Sequence, residues 1–208
     1  MNKEEPEYMN DIASIRSMME RSNKFISLSG MSGVMAGLYA LAGSVVAYML
    51  IYYPNTPFGY RFAYVSELQT LFYLFITAAA VLVFALATGL LLTKRKAAKT
   101  GQKVLGKNAV RLIINVFIPL TAGGVFILLL VFRGYYGIVA PASLLFYGLA
   151  LLNASNYTLT DIRYLGFCEI VLGLLCAILP GYGLIFWAIG FGVLHIVYGI
   201  VMHNKYDK

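Results

Sequence analysis

The stretch "RYLGFCEIVLGLLCAILPGYGLIFWAIGFGVLHIVYG" (residues 163–199) is apolar enough to live inside lipid, yet Glu169 stands on one side of its Pro-Gly turn and His195 on the other. Read as two membrane helices folded back at Pro180-Gly181, it sets both the fold class and the search for chemistry. Glu169 lies about twelve residues before the centre of the turn and His195 about thirteen after it, and helices rise equally at ~1.5 Å per residue, so the two side chains belong at nearly one depth. A carboxylate in hydrocarbon is costly, and it must meet a partner, meet water or be protonated. A hydrogen bond between Glu169 and His195 across the hairpin satisfies both groups, with Asn115 and Tyr198 as possible further partners. Such a pair is a lock that sets helix register or, because imidazole titrates near neutral pH, a proton-accepting centre on a polar path.

The rest of the chain repeats the apolar character of this stretch. Of its 208 residues 60% are hydrophobic and 12% charged, where a soluble domain carries about 25% charged residues. Mean hydropathy is +0.77. Six runs are long enough to cross a ~30 Å hydrocarbon layer; they lie near 26–53, 66–93, 110–132, 137–153, 162–179 and 183–203. The expected fold is therefore an all-α, polytopic six-transmembrane bundle over 25–208. Residues 1–24 form a polar lead-in whose Ile12, Ile15 and Met19 line one stripe over 8–24, the pattern of an amphipathic surface helix or of a solvated lead-in that continues the first helix. This beginning is too polar for a cleavable secretory signal, so the first span reads as a permanent anchor.

A net charge of +7 invites a nucleic-acid reading, but the distribution of charge points to topology. Lys94, Arg95, Lys96, Lys99, Lys103, Lys107 and Arg111 crowd one loop, expected over 94–111 between two apolar spans. With both termini in the cytoplasm, fourteen of the sixteen Lys and Arg fall on the cytoplasmic side, a strong positive-inside bias. The expected location is the bacterial cytoplasmic (inner) membrane, and the expected partners of the basic segment are anionic lipid headgroups. No nucleic-acid partner is expected. Cys168 and Cys176 sit eight apart on one span, roughly 12 Å along the helix and too far for a disulfide.

A repeat runs through the even-numbered spans: "TGLLLTK" (88–94), "YGLALLN" (147–153) and "YGIVMHN" (198–204) each place a polar residue five positions after a Gly. This spacing suggests a threefold series of helical hairpins. In that organisation the chain resembles the small bacterial acid-resistance membrane proteins, which implies three Gly-rich hairpins. In the wording of "RSNKFISLSGMSGVMAGLYALAG" (21–43) and "FWAIGFGVLHIVYG" (186–199) it resembles a family of uncharacterised six-span bacterial membrane proteins, which brings no activity or site residue with it.

Gly30-Met31-Ser32-Gly33 fits the GxSG pattern around the serine of the intramembrane rhomboid proteases, and Ser32 lies at a depth similar to that of His195 and Glu169. Here the serine is on the first span rather than the fourth, and the second histidine, His203, lies at the membrane edge. Ser29, Gly33 and Gly37, spaced by four, instead form a small-residue ridge that lets helices approach closely. Neither a metal site nor a cofactor is expected: Cys168, Glu169 and His195 offer at most three zinc ligands, and adjacent residues point about 100° apart on a helix.

Two functional classes follow. One is a non-enzymatic membrane protein that binds or passes a small solute, proton or lipid through a polar centre at Glu169 and His195. The other is a structural or regulatory membrane protein that forms a homo-oligomer or clasps a partner through small-residue faces. An intramembrane serine hydrolase at Ser32 stands third.

Overall fold

Leu, Ala, Ile and Val dominate the apolar runs, and a chain in hydrocarbon must satisfy its own backbone, so helices are the available solution. The computed structural model describes residues 28–53, 68–100 and 106–207. Its helices are α1 (Gly30–Ile51), α2 (Leu68–Thr100), α3 (Lys107–Phe132), α4 (Val139–Ala154, entered through a 3₁₀ turn at Tyr136–Ile138), α5 (Ile162–Ile178) and α6 (Gly183–Tyr206). No strand occurs among the described residues. Five stretches, all but that of α5, are long and apolar enough to cross a membrane, and the protein is a membrane-embedded helical bundle. The surface helix expected over 8–24, together with Lys103, lies outside the described residues.

The basic segment is largely helical rather than a loop. Helix α2 runs on through Lys94, Arg95, Lys96 and Lys99 to Thr100, and α3 already begins at Lys107. Lys, Arg and Ala are good helix formers, and long basic side chains carry their charge outward from an apolar stem, so nothing in this sequence stops the helix at 93. Pro141 does not disturb the start of α4. It is the third residue of that helix, where the N–H it lacks would have had no intrahelical partner.

Neighbouring helices run antiparallel. Tyr39 of α1 bonds Thr88 of α2 (3.1 Å), while a Cβ added at Gly43 would meet Val81. Phe146 of α4 packs over Gly123 and against Phe126 of α3. Helix α4 also meets α5 where Gly148 faces Gly166 and Ile170, and where Gly173 faces Leu145 and Pro141. The last helix lies chiefly on the first. A Cβ at Gly37 would come within 2.6 Å of the Gly192 carbonyl oxygen, one at Gly33 would lie 3.2 Å from Gly199 Cα, and one at Gly199 would lie 2.5 Å from the Val34 nitrogen. Glycine is required there because backbone meets backbone. The turn at Gly181 needs glycine for another reason, its φ of +94°. Helices α2 and α3 make no substantial contact with each other among the described residues, and the membrane-spanning window of α2 buries none of its residues.

Pro119 interrupts α3 from within. Lacking an N–H, it leaves the carbonyl of Asn115, four residues earlier, without its helical donor. The side-chain amide of Asn153 on α4 fills that place, donating to Asn115 O at 2.8 Å. Asn115 in turn donates its own amide to Arg111 O (2.8 Å). Asn153→Ala should therefore destabilise the protein in detergent by about 1 kcal/mol. Pro119→Ala, which restores the main-chain donor, should recover part of that loss in the double variant. Strictly additive losses in thermal unfolding would contradict this pairing.

Candidate functional site

Glycines open the room in which the polar residues meet. Helix α6 widens into a π-helix over Ala188–Leu194, the segment AIGFGVL, a distortion found often at functional sites. Gly190 lies in this segment, and a Cβ added to it would fall 2.5 Å from Leu144 Cδ2 and 2.6 Å from Glu169 Oε2. The backbone of α6 thus rests directly on the carboxyl group of α5.

Glu169 is 0% exposed and His195 is 7% exposed. The structure brings them together: His195 Nδ1 is 3.5 Å from Glu169 Oε1. The contact is not the hydrogen bond expected across the hairpin. Nδ1 lies closer to the Gly190 carbonyl oxygen, at 2.9 Å, and neither oxygen of Glu169 has a hydrogen-bond partner among the described residues. A carbonyl only accepts, so Nδ1 carries the hydrogen of the neutral ring and Nε2 is its acceptor. The phenol of Tyr147 on α4 supplies the donor to Nε2 at 2.7 Å. Rings pack around this group: Trp187 on Phe191 (4.9 Å), Phe191 on Tyr147 (5.0 Å) and Phe191 stacked with His195 (6.0 Å).

The expected auxiliary partners lie elsewhere. Asn115 is committed to α3 and Asn153, as described above. Tyr198 points its hydroxyl at Cys168 Sγ (4.0 Å), because one residue along α5 from Glu169 is about 100° around the helix. Ser32 donates to the Ser29 carbonyl, and both ring nitrogens of His195 are taken up by Gly190 and Tyr147, so no Ser–His dyad forms. Gly33 and Gly37 face α6 backbone, while the Ser29 hydroxyl donates to Asp207 (3.1 Å).

Tyr147 and Gly190 complete the site, and neither stands out in the sequence. Both lay in quoted motifs, "YGLALLN" and "FWAIGFGVLHIVYG". The available signal was the Gly-Phe-Gly of the latter, an unlikely run for an uninterrupted α-helix.

A second polar cluster ties the end of the bundle that bears the basic residues. The Asp207 carboxylate accepts from Lys96 Nζ (2.6 Å), Ser29 Oγ (3.1 Å), the Gly30 backbone N–H (2.9 Å) and His203 Nδ1 (3.1 Å). Lys96 also donates to the Leu28 carbonyl (2.9 Å). One carboxylate therefore joins the start of α1, the end of α2 and the end of α6. Lys96 is part of this cluster, whereas the side chains of Lys94, Arg95, Lys99 and Arg111 are exposed. Nearby, Asp161 accepts from Lys205 (2.9 Å) and Tyr206, holding the end of α6 to the start of α5.

Burial works to raise the Asp207 carboxyl, but the bonds from Lys96 and His203, the Lys96 charge and the Gly30 N–H outweigh it and hold the group below the usual carboxylate range. Asp161 is lowered in the same way: burial is outweighed by Tyr206 and Lys205.

No protein-family model, curated protein or solved structure matches the chain. The fold and the site together define its class: a polytopic helical membrane protein with an enclosed acid–imidazole–phenol group.

A carboxyl depressed in the folded state stabilises fully above its unfolded value, and that contribution is lost as pH falls through the folded value. Thermal stability should thus hold from neutral pH down to the ordinary carboxylate range and drop below it. Asp207→Asn should lower neutral stability by about 2 kcal/mol and flatten the acid limb; an unchanged limb would remove Asp207 as its source. A serine-directed fluorophosphonate should leave Ser32 unmodified, and labelling at Ser32 would overturn the packing assignment.

Proposed function

We propose that this is a non-enzymatic, six-span protein of the bacterial cytoplasmic membrane whose Glu169–His195 pair takes up and releases protons, with Tyr147 as the hydrogen-bonding partner on the far side of the ring. One observation carries the reading: a carboxyl group fully enclosed among helices, with no hydrogen-bond donor on either oxygen among the described residues, beside an imidazole nitrogen at 3.5 Å. An acid kept only for packing would be expected to have its oxygens satisfied, because an unpartnered buried carboxyl is among the most expensive groups a bundle can hold. Placed beside a titratable ring, the same group can hold one proton in common with it, since carboxylate with imidazolium and carboxylic acid with imidazole are both neutral overall.

The imidazole is wired for two protonation states. When the ring is neutral, Tyr147 donates to Nε2; when the ring gains a proton at Nε2, the phenol oxygen accepts instead, since a hydroxyl both donates and accepts. No hydrogen bond is lost in either state. This matches proton binding, since both hydrogen-bonding roles of the phenol are used.

In this reading α5 also crosses the membrane, as the fifth of six spans. Its 17 residues rise about 25 Å, a short but workable crossing. Both termini and the exposed Lys94, Arg95, Lys99 and Arg111 then face the cytoplasm, where anionic headgroups would gather on the basic residues. The second reading, a structural protein that oligomerises or clasps a partner, is favoured by one observation, the fully unburied spanning window of α2.

Reconstituted in vesicles enclosing a pH-sensitive dye, the protein should dissipate an imposed pH gradient faster than empty vesicles. Glu169→Gln and His195→Ala should each return the rate to that of protein-free vesicles while still folding in detergent. Gradient decay that is the same for the wild type and both variants would refute the proton reading and leave the structural one.

A further inference from the structure

Two acceptors compete for one hydrogen on His195. Nδ1 faces the Gly190 carbonyl oxygen at 2.9 Å and Glu169 Oε1 at 3.5 Å. Gly190 belongs to the π-helical segment of α6, and the next glycine of that segment, Gly192, lies against Gly37 and Leu41 of α1. The backbone N–H of His195 goes to Gly192 O, so the ring, not the main chain, reaches back five residues to the Gly190 carbonyl.

We infer that His195 is a two-position switch which couples the proton state of its pair with Glu169 to the π-helical turn of α6, and through Gly192 to the packing of α6 on α1. This rests on the reading of Glu169–His195 as a proton-exchanging pair and adds a mechanical consequence to it.

With the ring neutral and Glu169 ionised, Nδ1–H donates to Gly190 O and the wide turn is held. A proton taken up by the pair adds to Nε2 and brings the pair from one negative charge to none, and Tyr147 turns from donor to acceptor. The ring is now an imidazolium, and its Nδ1–H is drawn from the neutral carbonyl to the Glu169 carboxylate, because a charge-assisted hydrogen bond is roughly twice as strong as a neutral one. Released, the Gly190 carbonyl can accept the Leu194 N–H four residues on, the bond an ordinary α-turn makes. Replacing a π-turn by an α-turn moves the following residues around the helix axis, and the glycine contacts between α6 and α1 are too close to absorb that without shifting.

The groups around the ring are few. Helix α5 presents Glu169, and its Cys168 is turned to Tyr198 of α6. Helix α4 presents Tyr147. On α1 the described titratable side chain nearest along the chain, Tyr39, is bonded to Thr88 of α2. Among the described residues Glu169 is therefore the one carboxyl that can compete with Gly190.

Hydrogen exchange of the backbone amides over 188–196, measured on the full chain in lipid nanodiscs at a series of pH values, tests this. The wild type should show exchange in this segment that changes by about tenfold across the titration of the pair, a change of 1.4 kcal/mol in local opening, while α3 stays constant. Glu169→Gln, which keeps shape and removes the competing charge, should leave the segment locked at one rate, and Tyr147→Phe should displace the transition in pH. A wild-type segment whose exchange is independent of pH beyond the intrinsic base-catalysed trend, or a Glu169→Gln protein that keeps the full change, would overturn the switch. Vesicle flux separates this from the parent reading: a pH-dependent segment without proton flux supports the switch and defeats transport, and flux with a pH-independent segment defeats the switch alone.

Discussion

The whole arrangement turns on a single uncompensated group, the carboxyl of Glu169. It is fully enclosed, has no hydrogen-bond donor among the described residues, and has α6 backbone at Gly190 lying directly over it. Everything nearby reads as a response to this burial. Gly190 leaves space that any side chain would fill, the helix opens into a π-turn at that point, and a titratable ring stands within ion-pair distance. A charged group in hydrocarbon is tolerated where it faces the bundle interior and has a counterpart, and His195 is the counterpart available.

Elsewhere the bundle follows a stricter rule, that each backbone polar group removed from water must find a partner. The Asn115 carbonyl freed by Pro119 is met by Asn153 from the next helix. The first N–H of α1 at Gly30 is met by the Asp207 carboxylate at the other end of the described chain. These bonds, with the glycine ridges between α1 and α6, replace the hydrophobic drive that lipid cannot supply. Against that background the unsatisfied oxygens of Glu169 stand out as an exception and not as a lapse in packing. Protein interiors retain such exceptions chiefly where function uses them.

Much of this was legible in the sequence, for definite physical reasons. Membrane-embedded helices follow from the length and hydropathy of the runs alone. The common level of Glu169 and His195 could be counted from the equal rise of two helices about Pro180-Gly181. The partners of the ring could not be counted. Tyr147 lies on α4, and its approach depends on the crossing of α4 over α5 at Gly148 and Gly166, a three-dimensional fact with no local signature. Asn115 is drawn away from the pair because Pro119, four residues on, frees its carbonyl for Asn153, which hydropathy and depth do not report. The basic segment carries a topology signal in its charge and a helix signal in its Lys, Arg and Ala, and the second decides its local structure. Asp207 is an isolated acid in the sequence, and its gathering of α1, α2 and α6 depends on their approach in three dimensions.

The central claim, that one proton is held in common by an acid and an imidazole, is open to direct spectroscopy. Isotope-edited infrared spectra of the Glu169 carboxyl and nitrogen-15 shifts of the His195 ring, followed over pH in the same lipid-embedded sample, report the two sites separately. The two signals should change together over one pH interval, and Tyr147→Phe should move both. Independent titrations, or an acid that keeps one protonation state while the ring titrates alone, would contradict it.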